Sequence, residues 1–106
     1  MSSRPVVLVT GAARRLGRAI ALDLSAHGFD VAVHHRVDHT SKADEASDTL
    51  AQARAFGATA HTFAADLADE AACRALVPAV LARFGRLDAV VNNASAFEDD
   101  SAQTFS

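Results

Sequence analysis

The chain has no tyrosine and no tryptophan, one cysteine, and two prolines. Its single lysine is Lys42 and its cysteine is Cys73. Each shortage excludes something. One cysteine cannot close an internal disulfide, and a reducing compartment fits that usage. Without tyrosine, no proton transfer that depends on a Tyr–Lys pair can be completed by these residues. No apolar run approaches the roughly 20 residues of a membrane-spanning helix, and the first residues lack the apolar core of a signal peptide. The expectation is a soluble cytoplasmic protein with no membrane partner. Ten basic residues against thirteen acidic ones leave a formal net charge of −3, without a dense basic stripe. Nucleic acid is therefore not the expected partner.

The five histidines do not make a metal site by pattern. His34 and His35 are adjacent on a strand and so point to opposite faces. No Cys-x-x-Cys or His-Glu-x-x-His spacing occurs, so the expected metal ligands are none. His61 reads as a sheet residue, Cys73 as a packing residue on a helix, and Glu98-Asp99-Asp100 as a solvated acidic loop.

What is present is apolar material in a regular rhythm. Half of the 106 residues are hydrophobic, enough for the core of one small domain or part of a larger one. Val6-Val7-Leu8-Val9 reads as a strand buried on both faces. Thr10-Gly11-Ala12-Ala13-Arg14-Arg15-Leu16-Gly17 follows, and then Leu16, Ile20 and Leu24 recur at helical spacing up to the stop at Gly28. A glycine turn from strand to helix presents backbone N–H groups where the helix dipole also favours an anion, so a nucleotide phosphate suits it. No Gly-Lys-Ser/Thr follows, which excludes a Walker A loop. Ala13 stands where a G-x-G-x-x-G pattern needs its second glycine, so spacing alone leaves phosphate binding and a purely geometric turn both open.

The rhythm continues. Asp30 to His34 is a second strand. Ser41 reads as the cap of a helix that ends at Gly57, with a stripe of alanines, Leu50 and Phe56. Thr59 to Ala64 is a third strand. A helix after Asp69 carries Ala72, Leu76, Val80 and Phe84 on one face. Pro78 inside it, at a cost of about 3 kcal/mol, predicts a kink or a break. Leu87 to Val91 is a fourth strand. Ala26-His27-Gly28, Ala55-Phe56-Gly57 and Arg83-Phe84-Gly85 each close a helix at near-constant spacing. Alternating strands and helices imply an α/β parallel sheet, and ligands bind beyond the carboxyl ends of such strands. Those ends carry Thr10-Gly11, His34-His35-Arg36, Ala65-Asp66 and Asn92 to Ser95. The second strand ends on Arg36 with no acid at that position. An arginine there suits the 2′-phosphate of NADP, whereas Asp38 would suit the ribose of NAD.

Thr10-Gly11 with Gly17, then Asp66-Leu67, then Asn92-Asn93-Ala94 resembles the short-chain dehydrogenase/reductase family over residues 5 to 97. Arg15 in place of a turn glycine, and Ser95 after Asn92-Asn93-Ala94, are similar to its pteridine reductase subgroup. The resemblance implies the first βαβαβαβ part of a Rossmann-type parallel sheet with helices on both faces. Residues 1–97 would form the amino-terminal part of a dinucleotide-binding domain. Residues 98–106 would be a polar tail leading to a carboxy-terminal half.

The implied cofactor is NADP(H). Gly11 would shape the turn, and Arg15, Leu16 and Gly17 would approach the pyrophosphate. His35 and Arg36 would meet the 2′-phosphate, Asp66 and Leu67 the adenine, and Asn93, Ala94 and Ser95 the nicotinamide ribose side. Ser95 and Phe97 would face a small-molecule substrate, with Phe97 stacking on a flat ring. The family's Ser, Tyr and Lys catalytic residues follow Asn-Asn-Ala by a long interval, so no catalytic residue is expected in these 106 residues. The implied activity is NADPH-dependent carbonyl or imine reduction, of a pteridine-like substrate, by a homotetramer in which the remaining carboxy-terminal part completes each subunit. The alternatives are a non-catalytic dinucleotide-binding module, and a domain that works only with a partner.

Overall fold

The computed structural model describes residues 4–12, 15–36 and 42–93. Seven elements follow in order: β1 (Val6–Val9), α1 (Arg15–Ala26), β2 (Asp30–His35), α2 (Lys42–Ala55), β3 (Ala60–Ala64), α3 (Glu70–Phe84) and β4 (Ala89–Val91). The strands form one four-stranded sheet in the order β3-β2-β1-β4, and every pairing is parallel. This is the expected Rossmann-like arrangement, with element ends within about two residues of the sequence reading.

Strand alternation builds two half-cores. Val7, Val9, Val31 and Val33 face one way, against Ala21 of α1 and Ala46 of α2. Val6, Leu8 and Ala32 face the other way, against Leu76 and Val80 of α3. β1 is therefore buried at all of its positions, as a central strand covered on both faces must be.

The helices correct the sequence reading in instructive ways. In α1 the buried line is Gly17, Ala21 and Ser25. Ile20 and Leu24 flank it, while Leu16 is 54% exposed. The large apolar residues are thus the shoulders of the contact and small ones its centre, which lets the helix axis approach the sheet. In α2, Ala46, Thr49 and Ala53 are buried, but Phe56 is half exposed rather than part of the stripe. α3 presents Ala72, Leu76, Val80 and Phe84 to the second half-core as expected. Cys73 is exposed, off that packed face, rather than packed.

Pro78 does not break α3, which runs unbroken from Glu70 to Phe84. Its exposed ring removes one hydrogen bond, about 3 kcal/mol in helix terms. Burying Leu76 and Val80 on either side returns about 1.5–3 kcal/mol each. Both ends are also secured. The Asp69 carboxylate accepts from the N–H groups of Ala71 and Ala72, and Gly85, in the left-handed region at φ 83°, donates its N–H to Leu81 O.

Two carboxylates tie the amino-terminal end of the sheet. Buried Asp30 accepts from Thr59 N–H at 2.9 Å and lies 3.0 Å from the Arg4 guanidinium. Asp88 accepts from Val6 N–H at 2.8 Å, and the Arg86 side chain together with that N–H holds its carboxyl below the usual range. Val77 and Leu81 of α3 and Val90 of β4 are exposed.

Candidate functional site

Parallel pairing puts the carboxyl ends of all the strands on one edge, and hydrogen bonds lace that edge together. At the β1–β4 junction Thr10 N–H donates to Val91 O at 3.0 Å. The Thr10 hydroxyl lies 3.3 Å from both Val91 O and Asn92 Oδ1. Asn93 is buried and donates from Nδ2 to Gly11 O at 3.3 Å. On the other side of β1, Gly11 N–H donates to His34 Nδ1 at 2.9 Å, and Ala12 N–H donates to His34 O at 2.8 Å. His34 Nε2 in turn lies 2.9 Å from Ala65 O. The chain β4–Gly11–His34–Ala65 thus spans the whole sheet.

This lacing assigns the roles within the glycine turn. Gly11 sits at φ 63°, in the left-handed region that glycine tolerates best. The Gly11 and Ala12 amides are consumed inside the protein, so they are not donors for an anion. Among the described residues, the donors that remain are the first-turn amides of α1, including Leu16 and Gly17, which the helix geometry leaves without an intrahelical acceptor. Gly17 is buried against the back of the same turn. A Cβ there would overlap Gly11 O and fall 2.6 Å from Asn93 Nδ2. Glycine is required at 17 because the helix and the turn touch backbone to backbone.

Arg15 is exposed and adopts φ 59°, the one described non-glycine residue with positive φ. An L-residue there stores about 1–2 kcal/mol of strain. That is the position where the family resemblance expects glycine, so the backbone matches the usual pattern while the side chain adds a cation.

The other expected residues fall on the same edge. His35 closes β2 half-buried, its Nδ1 3.0 Å from Arg36 O, and Arg36 is exposed just beyond. Asp66 is exposed past β3, one carboxylate oxygen accepting from Ala68 N–H at 3.0 Å. Leu67 is half-buried against the α3-side core. The Asn93 side chain turns inward onto Gly11, because a buried polar group must find a partner. Ala94, Ser95, Phe97, Asp38 and the acidic tail lie outside the described residues.

Sequence pattern places His34 on this edge with His35 and Arg36 but gives its side chain no role. The available signal was a polar residue closing the run Val31-Ala32-Val33. An open depression of about 320 Å³ elsewhere, on the outer strand β3, is lined by Leu50, Arg54, His61, Thr62, Phe63 and Arg83. Burial, then the Arg83 and Arg54 charges, push the His61 imidazole below its ordinary value.

Comparison with known proteins agrees with this geometry. The family model described as short chain dehydrogenase matches residues 5–106. The chain belongs to the short-chain dehydrogenase family. It is 36% identical over 93 residues to a 3-oxoacyl-acyl-carrier-protein reductase of Staphylococcus aureus, covering 88% of this chain and 36% of the relative. It is 38% identical over 110 residues to pteridine reductase 1 of Leishmania tarentolae, covering 88% of this chain and 37% of that protein. Among solved structures, a short-chain dehydrogenase/reductase from Burkholderia xenovorans superposes with TM-score 0.80 at 39% identity, over 88% of this chain and 37% of that one. A dehydrogenase from Burkholderia cenocepacia with bound NADP superposes with TM-score 0.78 at 38% identity, over 87% and 36% respectively. The chain therefore spans little more than a third of the length of the relatives it matches.

Proposed function

We propose that this chain is the NADP(H)-binding part of a reductase acting on a carbonyl or imine of a small, pteridine-like molecule. The observation that carries the reading is the convergence, on one sheet edge, of the first turn of α1, the Arg15 and Arg36 cations and the Asp66 carboxylate. These residues fit the group. The first-turn amides of α1 and Arg15 suit a pyrophosphate. Arg36, with no acid at its position, suits a 2′-phosphate. Asp66 keeps acceptor capacity beyond its bond to Ala68. When bound, the cofactor would supply hydride. This chain's own residues bind and orient it.

The pteridine-like substrate rests on Arg15, Ser95 and Phe97, and on the similarity to pteridine reductase 1. A homotetramer rests on the family resemblance alone. The exposed flank at Val77, Leu81 and Val90 is where a continuing sheet and its helices would pack. The carboxy-terminal part of the same protein would supply the catalytic Tyr and Lys. The absence of tyrosine from these residues keeps a second reading, a binding module without turnover.

Titration of the intact protein with NADPH and NADH separates the outcomes. The expected result is saturable binding with NADPH at least about tenfold tighter, the worth of one charge-assisted hydrogen bond. Binding of neither dinucleotide overturns the proposal. NADPH oxidation with carbonyl and pterin panels then distinguishes reductase from binding module.

Arg15→Gly makes a sharper check, because its two effects have opposite signs. Removing the left-handed strain should raise stability by about 1 kcal/mol, seen as a higher Tm. Removing the cation should weaken NADPH severalfold and reduce the salt dependence of binding. A variant that is both less stable and equally tight would refute the assigned role.

A further inference from the structure

We propose that His34 is a positioning residue of this dinucleotide site, a neutral imidazole that holds the glycine turn in the shape that aims α1 at the cofactor. The inference rests on the dinucleotide-binding reading above and goes beyond it. It assigns a role to a fully buried side chain that would not touch the ligand.

The partners define the proton. Gly11 N–H can only donate, so His34 Nδ1, 2.9 Å away, accepts through its lone pair. Ala65 O can only accept, so Nε2, also 2.9 Å away, carries the hydrogen. One tautomer satisfies both contacts. The same residue takes the next turn amide through its main chain, since Ala12 N–H donates to His34 O at 2.8 Å. Two successive amides of the turn are thereby fixed to the end of β2.

The far side of the ring reaches the end of β3. Ala65 is itself tied back to β2, its N–H donating to His35 O at 3.1 Å, and Asp66 follows it. The imidazole thus lies between the turn that would hold pyrophosphate and the strand end that would meet adenine. Gly11 O, on the opposite side of the same peptide turn, is pinned by Asn93 and abuts Gly17. A turn released from His34 would shift this oxygen and, with it, the first-turn amides of α1.

Amide side chains dissect the two ends of the ring. His34→Asn places an acceptor oxygen near the Nδ1 position but does not reach Ala65. His34→Gln places a donor near the Nε2 position but offers Gly11 nothing. If the ring positions the turn, Asn should keep the NADPH Kd of the intact protein within about threefold, whereas Gln should raise it about tenfold, the worth of one hydrogen bond. The two variants should have similar Tm values. Gly11 amide exchange should be slow in the wild type and in Asn, and fast in Gln.

Equal Kd values for Asn and Gln, affinity that merely follows Tm, or rapid Gly11 exchange in the wild type would each overturn the assignment. Wild-type protein that binds no dinucleotide would overturn the functional reading and this inference together. Wild-type binding with indistinguishable variants would overturn this inference alone.

Discussion

Gly17→Ala is expected to abolish NADPH binding and to destabilise the protein by at least about 1–3 kcal/mol, the usual cost of forcing a methyl group into a filled core. The added carbon would overlap Gly11 O and stand 2.6 Å from Asn93 Nδ2 and 2.8 Å from the Gly11 carbonyl carbon. None of these can yield cheaply. Gly11 is held by His34 on one side and by Asn93 on the other, and Asn93 is buried. The relief available is for α1 to move away from the sheet. That separates Ala21 from the core it shares with Val7, Val9, Val31 and Val33, and carries the first-turn amides of α1 with it. Thermal melts and NADPH titration check both halves. Gly28→Ala is the internal control. At φ 101° with open space around its Cβ position, alanine there costs about 1 kcal/mol of backbone strain and should leave the NADPH Kd unchanged. Equal effects at the two positions would show that conformational freedom, not close approach, is what position 17 needs.

Arg36→Asp is expected to reverse cofactor preference. The exposed arginine follows β2, where a carboxylate would accept from ribose hydroxyls and an arginine meets a 2′-phosphate. Losing one charge-assisted hydrogen bond is worth about 1.5–3 kcal/mol, or roughly 10- to 150-fold in affinity. The introduced negative charge repels the phosphate further. NADPH should therefore weaken by about two orders of magnitude while NADH tightens severalfold. Stability should change by less than about 0.5 kcal/mol, as for other exposed positions. Unchanged selectivity would transfer the specificity role away from Arg36.

The elements were legible because their signals are local. Helix stops at Gly28, Gly57 and Gly85 lie in the left-handed region, the Asp69 cap is made, and the face of α3 is the one its periodicity specifies. The errors have a common cause. Leu16 and Phe56 are apolar yet half exposed, while Gly17, Ala21 and Ser25 form the buried line of α1. Hydrophobicity ranks side chains by their own surface, but burial depends on how near the neighbouring backbone comes. Pro78 does not split α3, since helix propensity omits the packing of Leu76 and Val80 that holds both halves together.

The sequence by itself determined the parallel βα order, the edge on which the polar segments gather, and the family, because period, caps and motif spacing are properties of neighbouring residues. Only the tertiary structure decided which partners the residues of that edge find. It turned Asn93 inward, consumed the Gly11 and Ala12 amides, and brought Gly17 against the Gly11 carbonyl. It also made His34 the link between β1, β2 and β3. These roles arise from hydrogen bonds and close approaches between residues tens of positions apart, and a buried polar group takes its meaning from the partner it finds.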